Sequence, residues 1–387
     1  MGTGCCFPAP RGEYPVIYAD YCATTPCLAT AAAAVSEALA AHLGNPSARH
    51  HTPGRAAQGV VDHARQQVAE LLGVAAAEII FTSGATEACN LAIMGVMASL
   101  LATRPRICAL AVEHPAILAP LAHLRQLGAE IILLPVHRDG QVDLQAAGEA
   151  IDERTALVCA MLVNNETGVI HDVAALAALA HAQGALVLCD ATQAPARMAV
   201  NLPALGADVA ALSAHKLYGP PGVGALWLRR GLSLAPLLFG GGQERGLRPG
   251  TLNVPGIAGF GVAAAAAREH LTARQAQLTR HTARLEQQLL AALPGLIIHG
   301  RQRAPGISSL TLPGLRPSWL AQLTTVAASA GSACSSGTGE ASHVLTALGV
   351  APADARNSLR ISLGEPTTDD DVEQLIAALI RGAQRLG

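Results

Sequence analysis

A chain of 387 residues exceeds the size at which one hydrophobic core stops growing, so two domains are expected. Half of it is apolar (51%) and the formal net charge is only −2, which excludes the one-signed field of a nucleic-acid or acidic-lipid surface. The start has no basic region followed by an apolar one, so no secretory signal is expected and residence is expected to be cytoplasmic. Alanine-rich stretches such as 257–267 are too short to span a bilayer, so no membrane partner is expected. Nine cysteines without a CxxC pair imply reduced thiols and no disulfide framework, and no ligand spacing supports a metal site. Cys89, Cys108, Cys159 and Cys189 sit in apolar runs and read as small core residues.

From about residue 78 short apolar runs alternate with helix-forming stretches. Strands are expected at 78–82, 106–112, 131–134, 156–163, 185–189, 209–212 and 223–228, with helices between most of them, such as 116–127 and 173–181. That alternation implies an α/β fold with a mainly parallel sheet flanked by helices, whose functional residues gather past the carboxyl ends of the strands. A long helical segment is expected at 257–293, and short mixed elements follow. The expected division is a large domain at 1–256 and a smaller α/β domain at 257–387, with residues 1–20 packing on the smaller one.

Lys216 is the only lysine beside 25 arginines. Arginine replaces lysine in salt bridges and phosphate contacts but cannot form an imine, because its guanidinium stays protonated and delocalised. Schiff-base chemistry is therefore the first hypothesis for Lys216, which follows a strand in Ala211-Leu-Ser-Ala-His-Lys-Leu-Tyr. An imine-forming lysine invites pyridoxal phosphate, whose phosphate wants a helix start and hydroxyls and whose ring nitrogen wants a carboxylate. Phe81-Thr-Ser-Gly-Ala-Thr-Glu-Ala offers the first, though an ordinary capped helix reads the same way. Asp190, a lone acid ending an apolar strand, offers the second, with plain solvent exposure as the alternative. His114 also follows a strand but does not stand out among 14 histidines. Cys334 lies in Gly331-Ser-Ala-Cys-Ser-Ser-Gly-Thr-Gly, a small polar stretch that gives a nucleophilic thiol exposure and reach.

Together these pieces resemble the cysteine desulfurase family, in the class-V branch of fold-type-I pyridoxal-phosphate enzymes. The resemblance runs from Tyr18-Ala-Asp-Tyr-Cys-Ala-Thr-Thr-Pro to Ser358-Leu-Arg-Ile-Ser-Leu-Gly, through Gly44-Asn-Pro-Ser, Val163-Asn-Asn-Glu-Thr-Gly-Val, Ser213-Ala-His-Lys, Gly240-Gly-Gly-Gln-Glu-Arg-Gly-Leu-Arg and Ser332-Ala-Cys-Ser-Ser-Gly. It implies that Lys216 carries the cofactor, Asp190 pairs with the ring nitrogen, and His114 stacks on the ring and shuttles protons. It implies that Asn165 and Gln193 bond the ring oxygen or the substrate, and that Ala85, Thr86, Ser213 and His215 cradle the phosphate. Thr251 would reach the phosphate of a neighbouring subunit, making a homodimer, and Arg360 would bind the carboxylate of L-cysteine. Cys334 would attack the substrate sulfur, releasing alanine and keeping a persulfide for an acceptor or iron–sulfur scaffold protein. A selenocysteine lyase or another class-V enzyme is the alternative, and it need not use Cys334. The chain departs from the family pattern at Cys22, where alanine is common, and at Pro249, where serine is common. It departs again at Glu365-Pro366, where a basic–aromatic pair is frequent.

Overall fold

The computed structural model describes residues 16–41, 43–313, 323–329 and 341–384. The chain enters through β1 (Ile17–Tyr18) and two helices, α1 (Ala29–Ala40) and α2 (Thr52–Leu72). Strands and helices then alternate: β2 (Ile79–Thr82), α3 (Ala85–Leu100), β3 (Arg106–Leu110), α4 (Pro115–Gln126), β4 (Glu130–Leu134), α5 (Leu144–Ala150), β5 (Thr155–Met161), α6 (Val173–Ala182), β6 (Leu186–Asp190). β7 (Val209–Ser213) and β8 (Gly224–Leu228) complete a seven-stranded sheet in the order β2-β8-β7-β6-β5-β3-β4. Every strand expected from the apolar runs is present. β8 alone runs against its neighbours, because no α-helix separates it from β7 and a short connection can only reverse direction.

The sheet is covered on both faces, and strand parity assigns its side chains. Cys108, Leu110, Val158 and Cys189 join the core under α2, α6 and α7 (Val254–Glu269). Ile107, Ala109, Leu157 and Cys159 face the opposite core under α3 and α4. The four cysteines read as core residues are fully buried, as expected.

The segment expected as one helix over 257–293 is two, α7 and α8 (Leu271–Ala292), broken at His270, whose ψ is 1°. The break changes packing partners. α7 lies on α1 and α2 in the core of the large sheet, while Leu278, Leu285 and Leu289 of α8 enter a separate core. Along the chain follow β9 (Ile297–His299), β10 (Ile307–Thr311), β11 (Val326–Ala327), α9 (His343–Ala347), α10 (Pro352–Arg356), β12 (Leu359–Ser362) and α11 (Asp369–Gln384). Val344 of α9 joins the core of the large sheet, while β10, β11, β12 and α11 build that second core. β12, β10 and β9 form an antiparallel sheet, and β1 pairs in parallel with β11, which draws Ile17 and Ala19 into this core. Among the described residues no helix is long and apolar enough to cross a membrane.

Glycine sets the closeness of α7 to its neighbours: a Cβ on Gly261 would lie 2.6 Å from Ala64 Cα. Gly261→Val is expected to destabilise the fold by about 1–3 kcal/mol through overpacking, read as a lower denaturant midpoint at constant m value. His171, 3% exposed, has both ring nitrogens without a partner among the described residues. Burial lowers its pKa to about 4, while an unfolded histidine titrates near 6.5. Between those values the unfolded chain binds more protons, so stability falls as pH falls. From pH 7 to pH 5 this residue should cost about 2 kcal/mol, and His171→Leu should remove that share of the loss in paired urea titrations.

Candidate active site

All strands of the large sheet except β8 end at one edge, and the candidate residues follow those ends. β2 ends at Thr82, and Ser83-Gly84 leads into α3. The loop can lie flat on the sheet only because Gly224 of β8 has no side chain; a Cβ there would sit 2.5 Å from Gly84 Cα and 2.4 Å from the Leu212 carbonyl. Gly84 caps α3 without a side chain, so the first N–H groups of the helix, at Ala85 and Thr86, stay open toward the cavity. Glu87, in the first turn, accepts from Ser83 N (2.8 Å) and from Arg248 Nε (2.9 Å) and braces the loop.

β3 leads to His114, which caps α4 by accepting the Ala116 N–H at Nδ1 (3.0 Å). That bond places the ring's own proton on Nε2. Burial lowers the pKa of His114, opposed by Asp190 and assisted by Lys216 and His343. The neutral ring therefore offers a donor, and taking up a further proton means giving up the helix cap. Beside it, Glu113 is fully buried and accepts from Met161 N (2.5 Å). Burial first, then the Asp190 charge, push its carboxyl well above the usual range.

β6 ends on Asp190, 8% exposed, whose Oδ1 accepts from Thr192 N (2.9 Å). β7 ends on Ser213, and a single helical turn then carries His215 and Lys216. Lys216 Nζ donates to the carbonyls of Cys22 (2.5 Å) and Ala23 (2.7 Å), and Gln193 Nε2 also donates to Cys22 O (2.9 Å). His215 Nδ1 meets Thr24 Oγ1 at 3.1 Å; burial, aided by the Lys216 charge, lowers its pKa to about 4. Two residues past Lys216, Tyr218 adopts a φ of 66°, a strained conformation for an aromatic residue. It is held there by its N–H on Thr25 Oγ1 (2.7 Å), its hydroxyl under Glu365 N (2.7 Å) and the Arg274 guanidinium 5.2 Å from its ring centre. Arg274, itself buried, donates from Nε to Glu365 Oε2 (2.7 Å), which accounts for the acidic residue at 365.

The second sheet supplies the last wall. Arg360, in β12, is 2% exposed and reaches the cavity with Nη1 on the Asn165 carbonyl (3.0 Å) and Nη2 on Asp20 Oδ1 (2.6 Å). The enclosed volume is about 380 Å³. Ala85, Thr86, His114, Asn165, Asp190, Gln193, Ser213, His215, Lys216 and Arg360, all singled out from the sequence, line it. Thr251 does not; it is exposed on the turn before α7, outside the cavity of its own chain. Cys334 lies outside the described residues. Both flanks of its segment are described, and both return to this site: Ser329 Oγ donates to Asp20 (2.8 Å), Ser342 Oγ to Glu166 (2.5 Å), and His343 Nε2 meets the Glu113 carbonyl (2.9 Å).

The donor set fits a phosphorylated aldehyde cofactor. Open helix N–H groups and Ser213 suit the phosphate, Asp190 suits a ring cation, and Lys216 suits the aldehyde. The buried Thr192 hydroxyl, in the cavity wall and without a partner among the described residues, is a further polar contact left for a ligand. Sequence reasoning assigned no part in the site to Cys22, Ala23, Thr192, Glu113 or Asp20. The block from Tyr18 to Pro26 and the neighbour of His114 were visible signals, but nothing local shows that these residues fold over Lys216.

The Aminotransferase class-V family model matches residues 17–375. The chain is 38% identical to the cysteine desulfurase IscS of Anaeromyxobacter sp. (strain Fw109-5) over 96% of this chain and 93% of that one. Among solved structures, a NifS-like protein superposes with a TM-score of 0.89 at 32% identity, covering 96% of this chain and all of the other (100%). A structure described as SspA in complex with cysteine matches with a TM-score of 0.80 at 30% identity, over 91% and 99% of the two chains. The chain belongs to the class-V aminotransferase family and, within it, to the cysteine desulfurases.

Proposed function

We propose that this protein is a pyridoxal-phosphate-dependent cysteine desulfurase that converts L-cysteine to L-alanine and keeps the sulfur as a persulfide on Cys334. The observation that carries the reading is the convergence of the only lysine, Asp190 and Arg360 on one cavity, from two sheets. The similarity to a structure described with bound cysteine supports the substrate.

Each residue's part follows from its surroundings. Lys216 holds the cofactor and, once displaced by substrate, is the cavity's amine for moving the α proton; the Cys22 and Ala23 carbonyls keep Nζ aimed inward. When bound, the cofactor supplies the electron sink for bond breaking at the substrate. Asp190 keeps the ring nitrogen protonated. His114 would be the residue beside the ring, with its proton on Nε2. Asn165 and Gln193 orient the ring oxygen or substrate, while Ala85, Thr86, Ser213 and His215 hold the phosphate. Arg360 takes the substrate carboxylate as a planar fork. The exposure of Thr251 suits a contribution to a second copy of the chain, so a homodimer with shared sites is part of the reading. So are cytoplasmic residence and delivery of the persulfide sulfur to an acceptor, with an iron–sulfur scaffold as the first candidate.

Incubation of the holoenzyme with L-cysteine, followed by peptide mapping, should place one added sulfur on the Cys334 peptide, with alanine released. Sulfur found elsewhere overturns the assignment. Cys334→Ser is expected to slow alanine release at least about 100-fold while leaving the visible absorbance change on cysteine binding intact. Lys216→Arg keeps the positive charge but removes the imine. Borohydride treatment should therefore fix the cofactor irreversibly in the native chain and not in this variant.

A further inference from the structure

Arg360 is a buried cation that already serves a resident anion. Its Nη2 donates to Asp20 Oδ1 (2.6 Å) and to Ser329 Oγ (3.1 Å), and the same hydroxyl donates to Asp20 Oδ2 (2.8 Å), closing a triangle of three side chains. The backbones beneath are pinned as well, by a bridge between Ser329 and Arg360 and another between Asp20 and Ser362. Nη1 is used by the Asn165 carbonyl (3.0 Å). Nε alone is buried without a partner among the described residues. Three of its five N–H groups are thus spent and its charge is largely answered.

A carboxylate entering the cavity is the second anion on one cation. Its attraction to Arg360 is offset by repulsion from Asp20, and at short range in a partly dry site neither term is small. Substrate and product of the proposed reaction carry the same carboxylate, so a seat that gripped it with full force would hold the product as tightly as the substrate. We infer that Asp20 is a tuning residue: it orients the Arg360 fork and, by its charge, weakens the hold on amino-acid carboxylates so that product exchanges for substrate. This rests on the assignment of Arg360 to the substrate carboxylate. Asp20 acts through Arg360 and touches no reacting atom.

The holoenzyme can be titrated with L-alanine and with L-alaninamide, which lacks the carboxylate, by following the visible absorbance of the cofactor. Asp20→Asn keeps an acceptor oxygen for Nη2 and a partner for Ser329 but removes the charge. It should tighten L-alanine about three- to tenfold, the scale of a partly solvated charge pair, leave L-alaninamide unchanged, and make alanine a stronger inhibitor of cysteine turnover. Ser329→Ala frees Asp20 to serve Arg360 alone and should shift L-alanine about twofold the other way, which keeps the test decisive if Asp20→Asn fails to fold. L-alanine affinity that is unchanged or weaker in Asp20→Asn, or tighter in Ser329→Ala, overturns the tuning role. Arg360→Gln should erase the preference for L-alanine over its amide. If that preference survives, the carboxylate seat itself lies elsewhere, an outcome separable from failure of Asp20 alone.

Discussion

The site depends first on the direction of the strands. Because β2, β3, β5, β6 and β7 run the same way, their carboxyl ends lie along one edge, and the residue just past each end is delivered to the same place. The start of α3 comes with them, bringing N–H groups that no capping side chain takes up to the cavity. The one reversed strand is not a flaw in this scheme. β8 places Gly224 beside Gly84, and the missing side chains let the α3 loop settle onto the sheet.

A parallel edge alone makes a shelf, not an enclosure. The second sheet closes it by sending Arg360 across, and burial of a guanidinium is tolerated only when its charge and its donors are met. Asp20 meets the charge, and Asp20, Ser329 and the Asn165 carbonyl take up the two terminal nitrogens. The bond to the Asn165 carbonyl also fastens the second sheet to the large one, so a side chain that lines the cavity helps to hold the architecture together. Ser329 returns to Asp20, and Ser342 and His343 bond to Glu166 and to the Glu113 carbonyl, the neighbour of His114.

Much of this was legible in the chain itself. Short continuous apolar runs marked each strand of the large sheet, and the depletion of lysine isolated Lys216 before any fold was known. What was hidden has physical causes. The break at His270 carries neither proline nor glycine, so the helical pattern runs through it, and only the change of packing partner reveals two helices. The side-chain partners of Asp20 and the Gln193 bond to the Cys22 carbonyl lie far along the chain; they arise from the long-range pairing of β1 with β11 and of Asp20 with Ser362, which periodicity does not encode. The use of His114 Nδ1 as a helix cap is a matter of ring orientation that no sequence displays.

The Glu365 carboxylate, an oddity against the family pattern, is the counter-ion of buried Arg274, which in turn braces strained Tyr218 next to Lys216. Positions 274 and 365 are therefore constrained to vary as a pair. A homologue with a basic residue at the latter must carry something other than a cation at the former, or leave two like charges facing one another under the turn that carries Lys216. Drift at one site would have to wait for its complement at the other, and the order of the two changes decides which ancestor could have lived.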